Sequence, residues 1–540
     1  MKQEPEFDVI IVGGGLAGLT AGTYLAKAGR RVLLCEKEQK TGGLVNSFEY
    51  EGFVFDAGIR AMENSGILLP MLRQLGIDLP LHKSPVSVGI ADRMVRFSSE
   101  ESLADYGAML ADLFPGSGGD VEQILEEIHK VKKYMDVLYG IDNPLFLDEI
   151  RDPAYLLRTL LPWMLRYQVN IHKASRLSMP VNRHLSELSG NQALIDMITQ
   201  HFFHGTPAFF ALSYFGFYLD YLYPDQGTGA LPEAMTQRFT ELGGTLDLGA
   251  EVLSVDPERH VLVTSEGNSY RYRKLLWAAN LKSLYERTGL SERTTAFLGE
   301  DWAQKKEQVL SHHGNDSVLT LYLGTDLPPE TFGEICGPHC FYTPETGGLS
   351  ALGTDSWRRI DRDPTLTEQD KVIRLTAWTR AYLDRTTYEI SIPALRNSAL
   401  APEGKTGLAV STLFDYDLTR ALRDAGGYEA WKEDAKEHLI AVLTRSLLPG
   451  LADHVRFGLV SSPLTVERFS GNADGAITGW AFAPGTVPAE SRFTKIRQSV
   501  LTPAPDIIQA GMWTFSPAGL PVAIMTGKLA ADLAHKELGQ

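Results

Sequence analysis

The sequence predicts an α/β fold in which a Rossmann-like domain, assembled from separated stretches, is interleaved with an α+β domain. Three observations lead there. A β-branched run, Phe7 to Val12, passes directly into Gly13, Gly15 and Gly18 in a G-x-G-x-x-G pattern. Alternating apolar runs joined by turn residues fill Glu251 to Asn280. The chain closes on an apolar strand at Ile507 to Gly511, a glycine- and proline-rich turn, and a helix from Pro521 to Leu538.

Each part of the amino-terminal unit has a physical task. Phe7–Val12 suits a parallel strand buried on both faces. Gly13 permits a tight turn, Gly15 lets the backbone approach a diphosphate, and Gly18 lets helix and strand pack closely. A helix then runs from Leu16 and Ala17 to Gly29, its positive amino end facing the diphosphate. Arg31 to Cys35 forms a second strand, with Glu36 and Lys37 at its carboxyl end. Glu36 is placed to accept hydrogen bonds from ribose hydroxyls, and its charge disfavours a 2'-phosphate.

Composition limits the function. With 540 residues, 44% hydrophobic and 22% charged, the chain is neither disordered nor fibrous. A net charge of -16 and the lack of a basic tract exclude nucleic acid as a partner. Cys35, Cys336 and Cys340 are too few for a disulfide framework, and no metal site is expected. The scarcity of cysteine suits a reducing, cytoplasmic setting, and the polar start, Met1 to Phe7, is not expected to be a secretory signal. Met197 to Leu219 lacks charges but is interrupted by Gly205 and Pro207, and suits buried aromatic structure better than a membrane span.

Further stretches carry a family resemblance. Gly42-Gly43 and Phe53-Val54-Phe55-Asp56-Ala57-Gly58 resemble the second stretch of FAD-dependent oxidoreductases. Tyr223 to Pro232, the helix after it and the Gly243-Gly244 turn are similar to the phytoene desaturase, carotenoid isomerase and retinol saturase family, within the flavin amine oxidase superfamily. The resemblance implies FAD as cofactor and an amine-oxidase-like arrangement. It places Gly58, Ile59 and Arg60 near the flavin, Val252 at the adenine, and Ala278, Ala279 and Asn280 near the diphosphate. At the carboxyl end it places Gly511, Met512, Gly519, Leu520 and Pro521 at the flavin ring. Two departures stand out: Leu44-Val45-Asn46-Ser47, where many relatives have arginine after the Gly-Gly pair, and Ser516-Pro517-Ala518-Gly519, which is poorer in glycine than usual.

On this basis residues 1–66, 224–290 and 500–540 form the FAD domain, and 67–223 and 291–499 the substrate domain. Leu68 to Tyr223 is expected to be helical, most clearly at Ser102–Leu113 and Val121–Leu138. Tyr155 to Tyr167 is apolar with Arg158 and Arg166, and Lys173, Arg176 and Arg183 follow. The 155–183 segment suits either an anionic membrane surface, with Trp163 and leucines in lipid, or a core helix with a basic edge. Ten aromatic residues between Phe202 and Tyr223 suit either an apolar ligand tunnel or tight core packing. His201 and His204 are expected to be a buried helical pair, and His312 and His313 surface residues of a strand.

Arg60, Asp220 and Trp513 are the catalytic candidates, with Asp56 beside them; Arg60 serves either an anionic flavin or a salt bridge to Asp56. The resemblance implies an FAD-dependent enzyme that desaturates, saturates or isomerises carbon–carbon bonds of an apolar polyene or isoprenoid-like molecule. The alternatives are a flavin amine oxidase, which needs an aromatic cage and commonly a lysine-held water, and a carrier of an apolar ligand or flavin without turnover.

Overall fold

A computed structural model describes residues 5–147, 155–289, 291–482 and 487–539; the polar start Met1–Glu4 lies outside them. The first of two seven-stranded sheets has five parallel strands in the order Thr245–Leu248, Val32–Glu36, Glu6–Val12, Ser269–Trp277 and Ile507–Gln509. Val9, Ile10 and Ile11 are fully buried because helices cover both faces. Leu16–Lys27, Ala230–Glu241 and Leu520–Glu537 cover one face, and Leu281–Arg287 and Glu292–Ser311 the other. Val252–Asp256 and Val261–Thr264 form an antiparallel meander with the start of Ser269–Trp277, as the alternating runs predict. The last of these strands then continues in parallel beside Glu6–Val12.

The second sheet has the order Val455–Ser461, Ser317–Thr325, Thr406–Phe414, Tyr388–Ser391, His339–Thr343, Val86–Ile90 and Arg93–Phe97. Its strands alternate sharply. Leu319, Leu321, Leu323, Tyr342, Tyr388 and Ile390 pack in a core with Trp378 and Trp431 from the helices Glu368–Leu383 and Tyr428–Ser446. The other face presents Tyr322, His339, Phe341, Glu389 and Ser411 to the interior cavity.

Ser102–Leu113 is helical as expected, and Gly118–Tyr139 contains the second expected helix. The expectation of an all-helical Leu68–Tyr223 fails at Leu81–Lys83, Val86–Ile90, Arg93–Phe97 and the start of Tyr221–Pro224, which are strands. Val86, Val88 and Ile90 alternate with small residues, and Ala91 at φ 54 turns the chain into a hairpin, so local β-propensity wins there. His312 and His313 lie in the loop after the helix Glu292–Ser311, not in a strand; His313 is exposed.

Leu16–Lys27 and Leu520–Glu537 touch backbone to backbone. A Cβ at Gly527 would lie 2.5 Å from the Ala17 carbonyl oxygen. Gly527→Val is expected to lose about 1–3 kcal/mol through overpacking and to lower the urea midpoint. An unchanged midpoint would show that this helix contact is soft.

Candidate functional site

The glycine turn forms a cradle at the carboxyl end of Glu6–Val12. Gly13 has φ 102, and a Cβ there would lie 2.9 Å from the Ala279 nitrogen; at Gly18 it would lie 2.0 Å from the Gly13 oxygen. Gly15 has nothing within 4 Å on that side and lines the cavity. The helix Leu16–Lys27 has no side-chain cap and no acidic residue in its first turn, so its leading N–H groups are left for an anion. Glu36 accepts the Gly14 N–H at 2.6 Å and the Glu38 N–H at 2.9 Å. Burial pushes its carboxyl above the usual range, while these two N–H groups and Lys37 pull it back. Its oxygens keep lone pairs for ribose hydroxyls.

From this cradle one cavity of about 1080 Å³ runs to the second sheet, at the upper end of ordinary ligand pockets. Its walls include Gly13, Gly15, Leu16, Ala17, Glu36, Lys37, Gly42, Gly43, Gly58, Ile59, Arg60, Val252, Ala279, Asn280, Gly511, Met512, Trp513, Gly519 and Leu520. Gly18 and Pro521 stand behind the wall; Gly18 acts through packing, and Pro521 opens the helix Leu520–Glu537. That helix also lacks an acidic first turn, and Gly519 and Leu520 bring its amino end to the cavity. An open glycine turn, two bare helix amino ends and a long contiguous cavity fit a dinucleotide carrying a flexible second half. These residues therefore fit FAD.

The catalytic candidates separate. Asp220 is exposed and does not line the cavity: the chain turns after the helix Ala208–Phe217, and Tyr218 and Tyr221 take the inward positions. Asp56 is also absent from the wall. Its buried carboxylate accepts the Thr228 N–H and hydroxyl, both at 2.9 Å, and the Tyr223 hydroxyl at 2.8 Å, tying the Ser47–Asp56 hairpin to the chain before Ala230–Glu241. Arg60 thus makes no salt bridge to that carboxylate. Its guanidinium donates to the Asp56 and Gly58 carbonyls and, at 2.8 Å, to the Ser411 hydroxyl. Trp513 is pinned edge-on against Trp480, with ring centroids 4.7 Å apart, and donates to Asn472 Oδ1 at 3.2 Å.

The far end contains polar groups that sequence patterns did not single out. Glu389 accepts a hydrogen bond from His339 Nε2 at 3.0 Å, and its side chain keeps 35% of its exposure, open to the cavity. Burial pushes the Glu389 carboxyl up, but His339, Arg60 and Arg396 more than offset it, leaving it below the usual range. The available signal was an acidic residue alternating with Tyr388 and Ile390 in a strand. Glu63 also lines this end. His201 and His204 are not a helical pair, because the helix Gln192–Thr199 stops before them. His201 lines the cavity 3.1 Å from the Tyr218 hydroxyl, and burial lowers its pKa to about 4; His204 is exposed. The aromatic segment divides: Phe203, Phe210 and Tyr214 line the cavity, Phe215 and Tyr218 fill the core, and Phe202 and Tyr221 do both.

Glu36→Ala removes the acceptor of two backbone N–H groups and is expected to cost about 1–3 kcal/mol of cofactor binding, roughly 5- to 150-fold in the FAD Kd. Flavin fluorescence titration of the apoprotein measures this; an unchanged Kd would sink the assignment.

Known proteins share sequence and fold with this chain. The family model for flavin containing amine oxidoreductase matches residues 16–378. The chain is 24% identical over 499 residues to the chloroplastic prolycopene isomerase of Arabidopsis thaliana, covering 86% of this chain and 73% of that protein. It is 22% identical over 553 residues to 4,4'-diapophytoene desaturase (4,4'-diaponeurosporene-forming) of Staphylococcus aureus strain bovine RF122 / ET3-1, covering 98% and 99%. Among solved structures, an oxidoreductase from Methanosarcina mazei superimposes with TM-score 0.58 at 13% identity, covering 96% of this chain and 98% of that one. Wild-type putrescine oxidase bound to putrescine gives TM-score 0.56 at 14% identity, covering 98% of each chain; both show the fold. The chain belongs to the flavin-containing amine oxidoreductase family, as an FAD-dependent oxidoreductase or isomerase.

Proposed function

We propose that the enzyme desaturates, saturates or isomerises carbon–carbon bonds of an apolar polyene or isoprenoid-like molecule. The carrying observation is that the cofactor cavity continues without a break into a chamber walled by Phe202, Phe203, Phe210, Tyr214, Tyr221 and Phe341. Such walls bind a long apolar chain through buried area and exclude water from it. The likeness to a prolycopene isomerase and a diapophytoene desaturase supports the same class. When bound, FAD supplies hydride acceptance and donation. Gly13, Gly15 and the Leu16–Lys27 helix would hold the diphosphate, Glu36 the ribose and Val252 the adenine, while Arg60 and the amino end of Leu520–Glu537 would offer positive potential toward a reduced flavin. Against the amine oxidase alternative, the lysines on the cavity wall, Lys37 and Lys40, both follow closely on Glu36 in the chain, and Lys40 pairs with Glu233, remote in sequence from the aromatic chamber.

We further propose that the enzyme reaches its substrate from an anionic membrane surface. Leu157, Leu161, Met164, Leu165 and Val169 follow one helical face, each at least 49% exposed. Arg158, Arg166, Lys173 and Arg176 are exposed around them. The opposite face is anchored: Ile171 and Ala174 are buried, and the Trp163 indole donates to the Val137 carbonyl at 2.7 Å. Trp163 therefore faces its own protein rather than lipid, because that bond satisfies its N–H. No described helix is long and apolar enough to cross a membrane.

Anaerobic incubation with carotenoid, retinoid, quinone and amine panels is expected to change flavin absorbance with a polyene or isoprenoid. A product differing by two hydrogens names the redox direction, and equal mass with shifted retention names isomerisation. Deamination of an amine with every polyene untouched overturns this proposal, and a flavin that no panel member reduces or reoxidises favours the carrier. In flotation with phosphatidylserine vesicles, Arg158→Glu with Arg166→Glu is expected to weaken binding roughly thirty-fold, from about 1 kcal/mol per lost basic residue. Equal binding removes the electrostatic part.

A further inference from the structure

Glu63 occupies an unusual place. It ends the two-residue strand Met62–Glu63, paired in register with Tyr221, where the main chain runs on from Gly58 to Ala61 along the cavity wall. Glu63 lines the aromatic chamber together with Tyr214 and Tyr221, and among the described residues it forms no ion pair. The titratable groups facing it come from three elements: Tyr139 of the helix Gly118–Tyr139, Tyr214 of Ala208–Phe217 and Tyr221 of Tyr221–Pro224. All three are phenols that burial keeps neutral, so no cation holds this carboxyl ionised.

Glu389, on the second sheet in the same cavity, is the contrast. His339, Arg60 and Arg396 hold it as a carboxylate. Burial instead pushes Glu63 up to about 7, with the Tyr214 hydroxyl pulling the other way. Two carboxyl groups in one cavity whose surroundings drive them apart mark a division between a fixed charge and a proton carrier. The structural bonds of Glu389 suit the first role.

We propose that Glu63 exchanges a proton with the substrate carbon next to the one that exchanges hydride. This rests on the carbon–carbon reaction proposed above. In the desaturating direction the Glu63 carboxylate takes the proton, and the electron pair of that broken C–H bond becomes the new π bond. The neighbouring carbon gives up its hydrogen with two electrons to oxidised flavin, so the substrate loses one proton and one hydride. In the saturating direction, with reduced flavin as the hydride source, protonated Glu63 returns the proton.

Glu63→Gln and Glu63→Asp test this, with flavin absorbance reporting cofactor occupancy and folding. Glu63→Gln is expected to keep its FAD and to lose about 10²- to 10⁴-fold in kcat/KM, together with the pH limb near neutrality. In the wild type, desaturation rises as pH increases through about 7, because the carboxylate is the base; saturation falls through the same limb, because the acid is required. Glu63→Asp keeps the limb at a reduced rate. Independently of turnover, infrared difference spectra across neutrality are expected to show a protonated-carboxyl band lost with a midpoint of about 7, absent from Glu63→Gln. Wild-type rates and pH profile in Glu63→Gln, or a carboxyl band that survives the substitution, overturn the proposal. If the wild type acts on no polyene or isoprenoid, the carbon–carbon reaction falls and takes this role with it. The two failures are distinguishable because in the first the wild type turns over.

Discussion

Close approach of main chain to main chain at the carboxyl ends of the parallel strands is the constraint on which the structure depends. The Gly13 turn packs against Ala278 and Ala279, and the start of the helix Leu16–Lys27 packs back onto that turn through Gly18. Chain segments more than 200 residues apart meet there, with Ile507–Gln509 closing beside Ser269–Trp277. A side chain at this junction would separate them, and the same crowding leaves backbone N–H groups facing the cavity. Packing and cofactor recognition are thus one feature of the fold.

The second sheet solves the complementary problem. Its rear face is a conventional apolar core, while its cavity face carries Glu389, His339 and Ser411 close to the aromatic chamber. Such groups are costly to bury unless each is paired. Here Arg60 is bonded to Ser411, and Glu389 to His339, with Arg60 and Arg396 supplying opposite charge to Glu389. The result is a fixed electrostatic floor beneath an apolar volume. Glu63 lies outside that compensated set, on a short strand linking the first-sheet segment to the helical insert.

Local pattern made the cofactor side legible. The strand, glycine turn, helix and acidic residue of Phe7–Glu36 follow one another within a short stretch, and backbone sterics there leave few alternatives. The meander and the carboxyl-terminal helix were equally local. The substrate side was less legible because its determinants are distant in sequence. Asp220 looked suitable from its position beside the Tyr223–Pro232 stretch, yet the turn aims it at solvent. Nothing near Glu63 announced that Tyr139 and Tyr214 would close around it.

The sequence by itself determined the α/β class, the dinucleotide cradle and the elements that build it, because glycine placement, strand composition and helix start signals act over a few residues. Tertiary structure alone decided which polar groups share the cavity, whether Arg60 pairs with Asp56, and which aromatics form wall rather than core. Burial and charge compensation depend on neighbours brought together from different segments, and no short-range pattern encodes that company.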